Sequence, residues 1–104
     1  MVYIKLHIHN QKLQVPVAGI MRIEALSNYS RIYFADGKIM VVANVLRLLQ
    51  ELLPAAMFVR VHQSHLVNKL FVITLSGNNS KKLLMNNGEY IVVSRRKQVT
   101  IKED

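Results

Sequence analysis

The sequence has no cysteine and no tryptophan. Without cysteine there are no disulfide bonds, thiolate metal centres or cysteine nucleophiles, and folding needs no oxidising compartment. Acidic residues are scarce, six Asp and Glu against fourteen Lys and Arg. Those carboxylates are scattered, so no acid–base pair suggests itself. Ser64 and Ser94 lack a G-x-S-x-G context, and there is no glycine-rich phosphate loop. No apolar run approaches the roughly 20 residues that span a bilayer. The start, Met1-Val2-Tyr3-Ile4-Lys5, lacks the continuous apolar core of a signal peptide. There is no internal repeat, linker or low-complexity stretch. These absences point away from an enzyme, a cofactor, a metal, a small-molecule substrate and a membrane, and towards a soluble cytoplasmic protein.

What is present is hydrophobic and basic. Hydrophobic residues make up 51% of the chain, too many for disorder. At 104 residues, 1–104 reads as a single domain able to bury roughly two-thirds of its unfolded surface. The net charge is +8 and the pI about 10.1. A domain pI above roughly 9 is the footprint expected of a nucleic-acid binder, although small basic domains without nucleic acid are common. The distribution favours the binder. From Arg60 to Lys102, eight cations face one acid, Glu89.

Most of the chain alternates with a two-residue period. Tyr3 to His9, Lys12 to Val17, Ile20 to Leu26, Tyr29 to Phe34 and Lys38 to Val42 read as strands, with Pro16 placing the second at an edge or strand end. In the fourth, Tyr29, Arg31 and Tyr33 share one side and Ser30, Ile32 and Phe34 the other. Asn10-Gln11 is turn-like, and Asp36-Gly37 suggests a type I′ hairpin. His7 and His9 share a face, but with no third ligand nearby they read as solvated. Asn44 is placed as an N-cap, followed by Val45, Leu46, Leu49, Leu52 and Leu53 at helical spacing until Pro54. This is one helix of about three turns. Arg47 is its lone cation, so it is a packing element and not a recognition helix. Lys69 to Leu75 reads as a buried strand, and Lys82–Met85 and Tyr90–Val93 as a hairpin around Asn86-Asn87-Gly88. The fold class is mainly β: stacked antiparallel sheets of about nine or ten short strands with one short α-helix.

The central stretch runs from Phe58 to Asn68. Val59 and Val61 point one way and Arg60 and His62 the other, until Gln63-Ser64-His65 breaks the alternation. Three polar clusters stand at strand ends: Asn28-Tyr29-Ser30-Arg31, His62-Gln63-Ser64-His65 and Ser94-Arg95-Arg96-Lys97. Loops at one end of a β-scaffold can make a composite contact surface.

These residues carry a resemblance. Phe58, Arg60, His62, Ser64, Val67 and Asn68 form F-x-R-x-H-x-S-x-x-V-N, which is similar to the signature of LytTR-type DNA-binding domains, the output modules of many bacterial response regulators. Ile23-Glu24-Ala25 with Asn28 to Phe34, then Asp36-Gly37-Lys38, and finally Val93-Ser94-Arg95-Arg96 resemble further family segments in the same order. The resemblance covers roughly residues 1–101. It implies sequence-specific binding of duplex DNA by a transcriptional regulator, with loop residues entering successive major grooves. It also implies a homodimer on paired direct repeats. Ser30, Gln63 and Arg95 match base-contacting positions. Gln suits adenine and Arg suits guanine, whereas Ser is short. Arg31, Ser64, Arg96 and Lys97 are candidates for phosphate contacts. Each competes with a structural role: Arg31 paired with Glu24, Arg60 and His62 bracing the loop, Asn68 holding a turn, Tyr29 and Tyr33 packing on the sheet. The alternative function is a basic β-module for an acidic protein partner or RNA. Family members commonly carry an upstream receiver domain, and none is present here. The chain is then a stand-alone regulator or an excised domain, and Met1 favours the former.

Overall fold

The computed structural model describes residues 2–76 and 82–94, and its architecture follows from where alternation holds and where it breaks. The strands are β1 (Tyr3–Ile8), β2 (Gln11–Pro16), β3 (Ile20–Leu26), β4 (Tyr29–Phe34), β5 (Ile39–Val42), β6 (Phe58–His62), β7 (His65–Asn68), β8 (Val72–Ser76), β9 (Lys82–Met85) and β10 (Tyr90–Val92). Among the described residues one α-helix, α1 (Leu46–Leu52), joins β5 to β6. The strands form three antiparallel sheets: β1-β2, β5-β4-β3-β7-β6 and β10-β9-β8. The family of folds anticipated from the sequence is therefore present, with ten described strands.

The five-stranded sheet is the middle layer. On one face the β1-β2 hairpin and α1 close a core around Leu6, Ile23, Ile32, Leu49 and Leu66. On the other, the three-stranded sheet closes a second core around Met21, Val61, Val67, Leu83 and Met85. A strand covered on both faces cannot alternate polar with apolar, and so β3 reads Ile-Met-Arg-Ile with all four residues buried.

Two bulges correct the simple alternation. The register of β3 shifts between Ile20 and Arg22. Met21 and Arg22, though consecutive, therefore both serve the second-core side: Met21 packs in that core and Arg22 reaches Glu89 beyond β9. The register of β6 shifts between Arg60 and His62. His62 comes to lie opposite His65, with ring centroids 5.4 Å apart, while Arg60 turns to α1. Arg60 and His62 thus do not share a face.

Other local expectations change for physical reasons. Asn44 is not the N-cap. Val45 occupies that position without a side-chain bond, and the Asn44 Oδ1 instead accepts the His7 amide at 2.8 Å. The helix spans seven residues, two turns, with Leu46 and Leu49 inward and Leu52 exposed. His9 is in the β1-β2 turn with φ 55, not in the strand. Residues 69–71 form a 3-10 turn before β8, and Leu70 and Ile73 are exposed. The Ala35-Asp36-Gly37 loop is a type I turn closed by a left-handed glycine, not type I′. The Gly37 amide reaches the Phe34 carbonyl, Phe34 pairs on to Lys38, and only Gly37 has positive φ, at 95°. Asn86-Asn87-Gly88 repeats the design, with Gly88 at φ 92.

The layers are pinned by a buried cation. Arg22 stacks its guanidinium 3.6 Å over the Tyr33 ring and donates to Glu89 at 2.7 Å. The Arg22 side chain is 7% exposed and that of Glu89 39%. Burial pushes the Glu89 carboxyl up, but the hydrogen bonds from Arg22 and Asn87 and the Arg22 charge outweigh it and hold the pKa below the ordinary value. Removing the carboxylate strands a buried charge, whereas removing the guanidinium leaves a carboxylate that water can reach. We expect Glu89→Ala to lower unfolding free energy by about 2–3 kcal/mol, below the full cost of a broken buried pair because Glu89 is partly wet. Arg22→Met is expected to cost less. Urea midpoints decide it, and equal losses for the two variants would refute the asymmetry.

Candidate nucleic-acid interface

Antiparallel pairing brings separate turns to one end of the middle sheet. The β3-β4 connection is Ser27-Asn28, with Ser27 at φ 54, the conformation that lets two residues reverse the chain. The β6-β7 connection is Gln63-Ser64. Because β7 lies antiparallel to β3, with Glu24 opposite His65, the two turns project from the same end. The Ala25 amide donates to the Ser64 carbonyl at 2.9 Å and ties them together. The chain leaving β10 arrives beside them, where the Ser94 amide donates to the Val61 carbonyl at 2.8 Å. All three polar clusters of the sequence thus have described members at this end.

The side chains there divide into held and presented. Arg60 is held three ways: Nη1 donates to Gln50 Oε1 of α1 at 3.0 Å, Nε to the His62 carbonyl at 3.3 Å, and Nη2 to the Gln63 carbonyl. It braces the turn, as one of its two sequence readings holds. His62 Nδ1 accepts the Ser64 amide at 3.1 Å. Asn68 is fully buried; its Nδ2 donates to the Ile20 carbonyl at 2.9 Å and its Oδ1 accepts the Leu70 amide at 3.0 Å. Arg31 donates to Glu24 at 3.1 Å and to the Tyr33 hydroxyl at 3.2 Å, and the same hydroxyl donates to Glu24. Arg31 is therefore an ion-pair member whose side chain is still 38% exposed.

Gln63 is exposed, and its side chain makes no hydrogen bond to a described residue. Ser64 is half-buried. Ser30 is not presented at all. It has no exposed surface, and its hydroxyl donates to the Asn44 carbonyl at 2.7 Å. It faces the covered side of β4 with Ile32, and there it fixes the segment leading into α1. Tyr29, next to it, is the exposed residue. Arg95, Arg96 and Lys97 lie outside the described residues. The bracing role of Gln50 has no sequence signal, because a glutamine on a short helix looks solvated.

Near this end, burial holds the His65 imidazole below the ordinary histidine range; Glu24 opposes the shift, and His62 and Arg22 add to it. Its Nδ1 is buried without a partner among the described residues. The folded state thus favours neutral His65. Its contribution to stability is complete above the unfolded value, about 6.5, and is lost as pH falls through the lower folded value. Melting temperature is expected to fall between pH 7 and 5, and less so in His65→Gln. Parallel profiles for the two proteins would exclude His65 as the source.

A β-scaffold with no basic helix among its described residues, carrying polar turns gathered at one sheet end, defines a loop-reading module. Among the described residues no helix is long and apolar enough to cross a membrane, and no cluster of three or more His, Asp or Glu could hold a metal ion. Residues 10–104 match the family model described as the LytTr DNA-binding domain. The chain belongs to that family; it is a DNA-binding domain that regulates transcription, with DNA as its partner. Its fold is also similar to a solved domain from Bacillus cereus, described as the LytTr DNA-binding domain of a protein assigned provisionally as a methyl-accepting/DNA response regulator. That likeness has a TM-score of 0.75 at 24% identity and covers 89% of this chain and 86% of the other. No curated protein sequence matches the chain.

Proposed function

We propose that this chain, acting as one domain in the bacterial cytoplasm, reads a specific duplex sequence with residues at the turn end of its middle sheet, two copies occupying direct repeats. Gln63 and Arg95 read bases in the major groove; Arg31, Ser64, Arg96 and Lys97 contact phosphates. Ser30 is left out because its hydroxyl is already committed. The observation that carries the reading is the convergence of the Ser27-Asn28 turn, the Gln63-Ser64 turn and Ser94 at one sheet end, in a chain of net charge +8. A free glutamine amide on a braced turn suits bidentate pairing with adenine, and an arginine suits guanine O6 and N7.

The test is selection from a random duplex library at about 150 mM salt, where non-specific binding is weak. We expect an enriched motif repeated at about 10–11 base pairs, the spacing of two domains on one face of the helix. Failure of a folded protein to enrich any motif would sink the reading and favour RNA or an acidic protein. On the enriched site, Gln63→Ala and Arg95→Ala are each expected to cost about 1–3 kcal/mol and to relax base choice. A loss equal on cognate and scrambled duplexes would remove that residue from the base readers. Lys97→Ala is expected to weaken all sequences alike.

A further inference from the structure

Gln63 is the most exposed residue of its turn, yet the backbone on both sides of it is fixed by side chains. From the α1 side, Arg60 donates to the His62 and Gln63 carbonyls. From the other side, the His62 Nδ1 accepts the Ser64 amide. This second bond is an imidazole version of the turn that Asn and Asp make when a side-chain oxygen accepts the amide two residues on. It demands a particular proton arrangement. Nδ1 must be bare, so a neutral ring carries its proton on Nε2. A second proton makes Nδ1 a donor facing a donor, and the bond is lost. Neither Gln63 nor Ser64 has a positive φ to lock the turn by itself.

We propose that His62 is a positioning residue for DNA sequence discrimination: its unprotonated Nδ1 fixes the Ser64 amide and so aims Gln63. The inference rests on Gln63 being a base reader. Among the described residues, the charged and titratable groups around His62 are Arg60 on its own strand, His65 on β7, and Glu24 and Arg22 on β3, across from His65 and Val67. The device has an unusual sign. In mild acid, positive charge at the DNA end strengthens binding to any sequence, as phosphate contacts do. At the same time the loosened turn weakens the preference for the right one.

The experiment uses the full chain, the duplex enriched by selection and a scrambled duplex, with fluorescence anisotropy at pH 7.5 and 5.5. For the wild type we expect the ratio of the two affinities to fall about tenfold in acid, the scale of one good base contact, while affinity for the scrambled duplex rises. His62→Phe keeps a ring against His65 but has no acceptor, and its ratio should be low at both pH values. His62→Asn supplies an oxygen for the same amide and cannot titrate, so it should restore the ratio at both. A wild-type ratio in His62→Phe, or an unchanged acid loss in His62→Asn, overturns the proposal. Gln63→Ala separates the premise from the inference: if it keeps full discrimination, the base-reading assignment itself is wrong. One arm needs neither DNA nor mutation. Imidazole ¹⁵N shifts should show His62 protonated at Nε2 near neutral pH, and the Ser64 amide should lose exchange protection in acid. An Nδ1-protonated His62 overturns the proposal whatever the DNA result.

Discussion

Raising salt from 50 to 200 mM should weaken DNA binding about a thousandfold. Each phosphate neutralised by a Lys or Arg releases condensed counterions, and log affinity falls with log salt at about 0.9 per contact. A chain with fourteen cations against six acids can engage about six phosphates, which gives a slope near −5. The described structure already takes some cations out of the count. Arg22 is buried on Tyr33 and Glu89, Arg60 is tied to the turn backbone, and Arg47 pairs with Glu51 at 3.5 Å. The slope is therefore expected to come from the remaining cations, with the proposed phosphate contacts Arg96 and Lys97 foremost. Titrations at four salt concentrations decide it; a slope shallower than about −2 is incompatible with six contacts.

The second large effect is on stability, at Asn68. Truncation to alanine orphans the Ile20 carbonyl, which lies in the first core, and the Leu70 amide, which heads an exposed turn. The carbonyl bears most of the penalty because water cannot replace its donor; the amide can be rehydrated. We expect Asn68→Ala to lose about 2–4 kcal/mol of unfolding free energy. Asn68→Asp should lose more, since it keeps the acceptor for Leu70 but turns a carboxylate towards the Ile20 carbonyl. Chemical denaturation of both variants tests this ordering. If aspartate were tolerated better than alanine, the bond to Leu70 and not the one to Ile20 would be the important one.

Much of this was legible in the sequence, where a local rule met no competing one. Strand alternation identified β1 to β5, the two glycines marked the tight hairpins, and the Phe58 to Asn68 signature pointed to the family that residues 10–104 match. The structural roles weighed for Asn68, for Tyr33 and for the Arg31–Glu24 pair also appear. What the sequence hid depends on which face another layer covers. The family resemblance puts Ser30 on the contact surface, although its alternation with Ile32 places it on the side that the core covers. The bulges at residues 20–22 and 60–62 add one residue to one strand only, and no residue type announces that. Asn44 looked like a cap because asparagine before a leucine-rich run usually is one; here the β1 backbone competed for its oxygen and won.

The Gln63 turn has one more consequence. Its backbone is secured by Arg60, His62 and Ala25, while the side chain at 63 is bonded to no described residue. If Gln63 reads bases as proposed, scaffold and address are written in different positions. A substitution at 63 then changes which operator is read without disturbing the fold. Copies of this gene that diverge there could acquire separate targets in a single mutational step, while a change at 60 or 62 would blur every target at once.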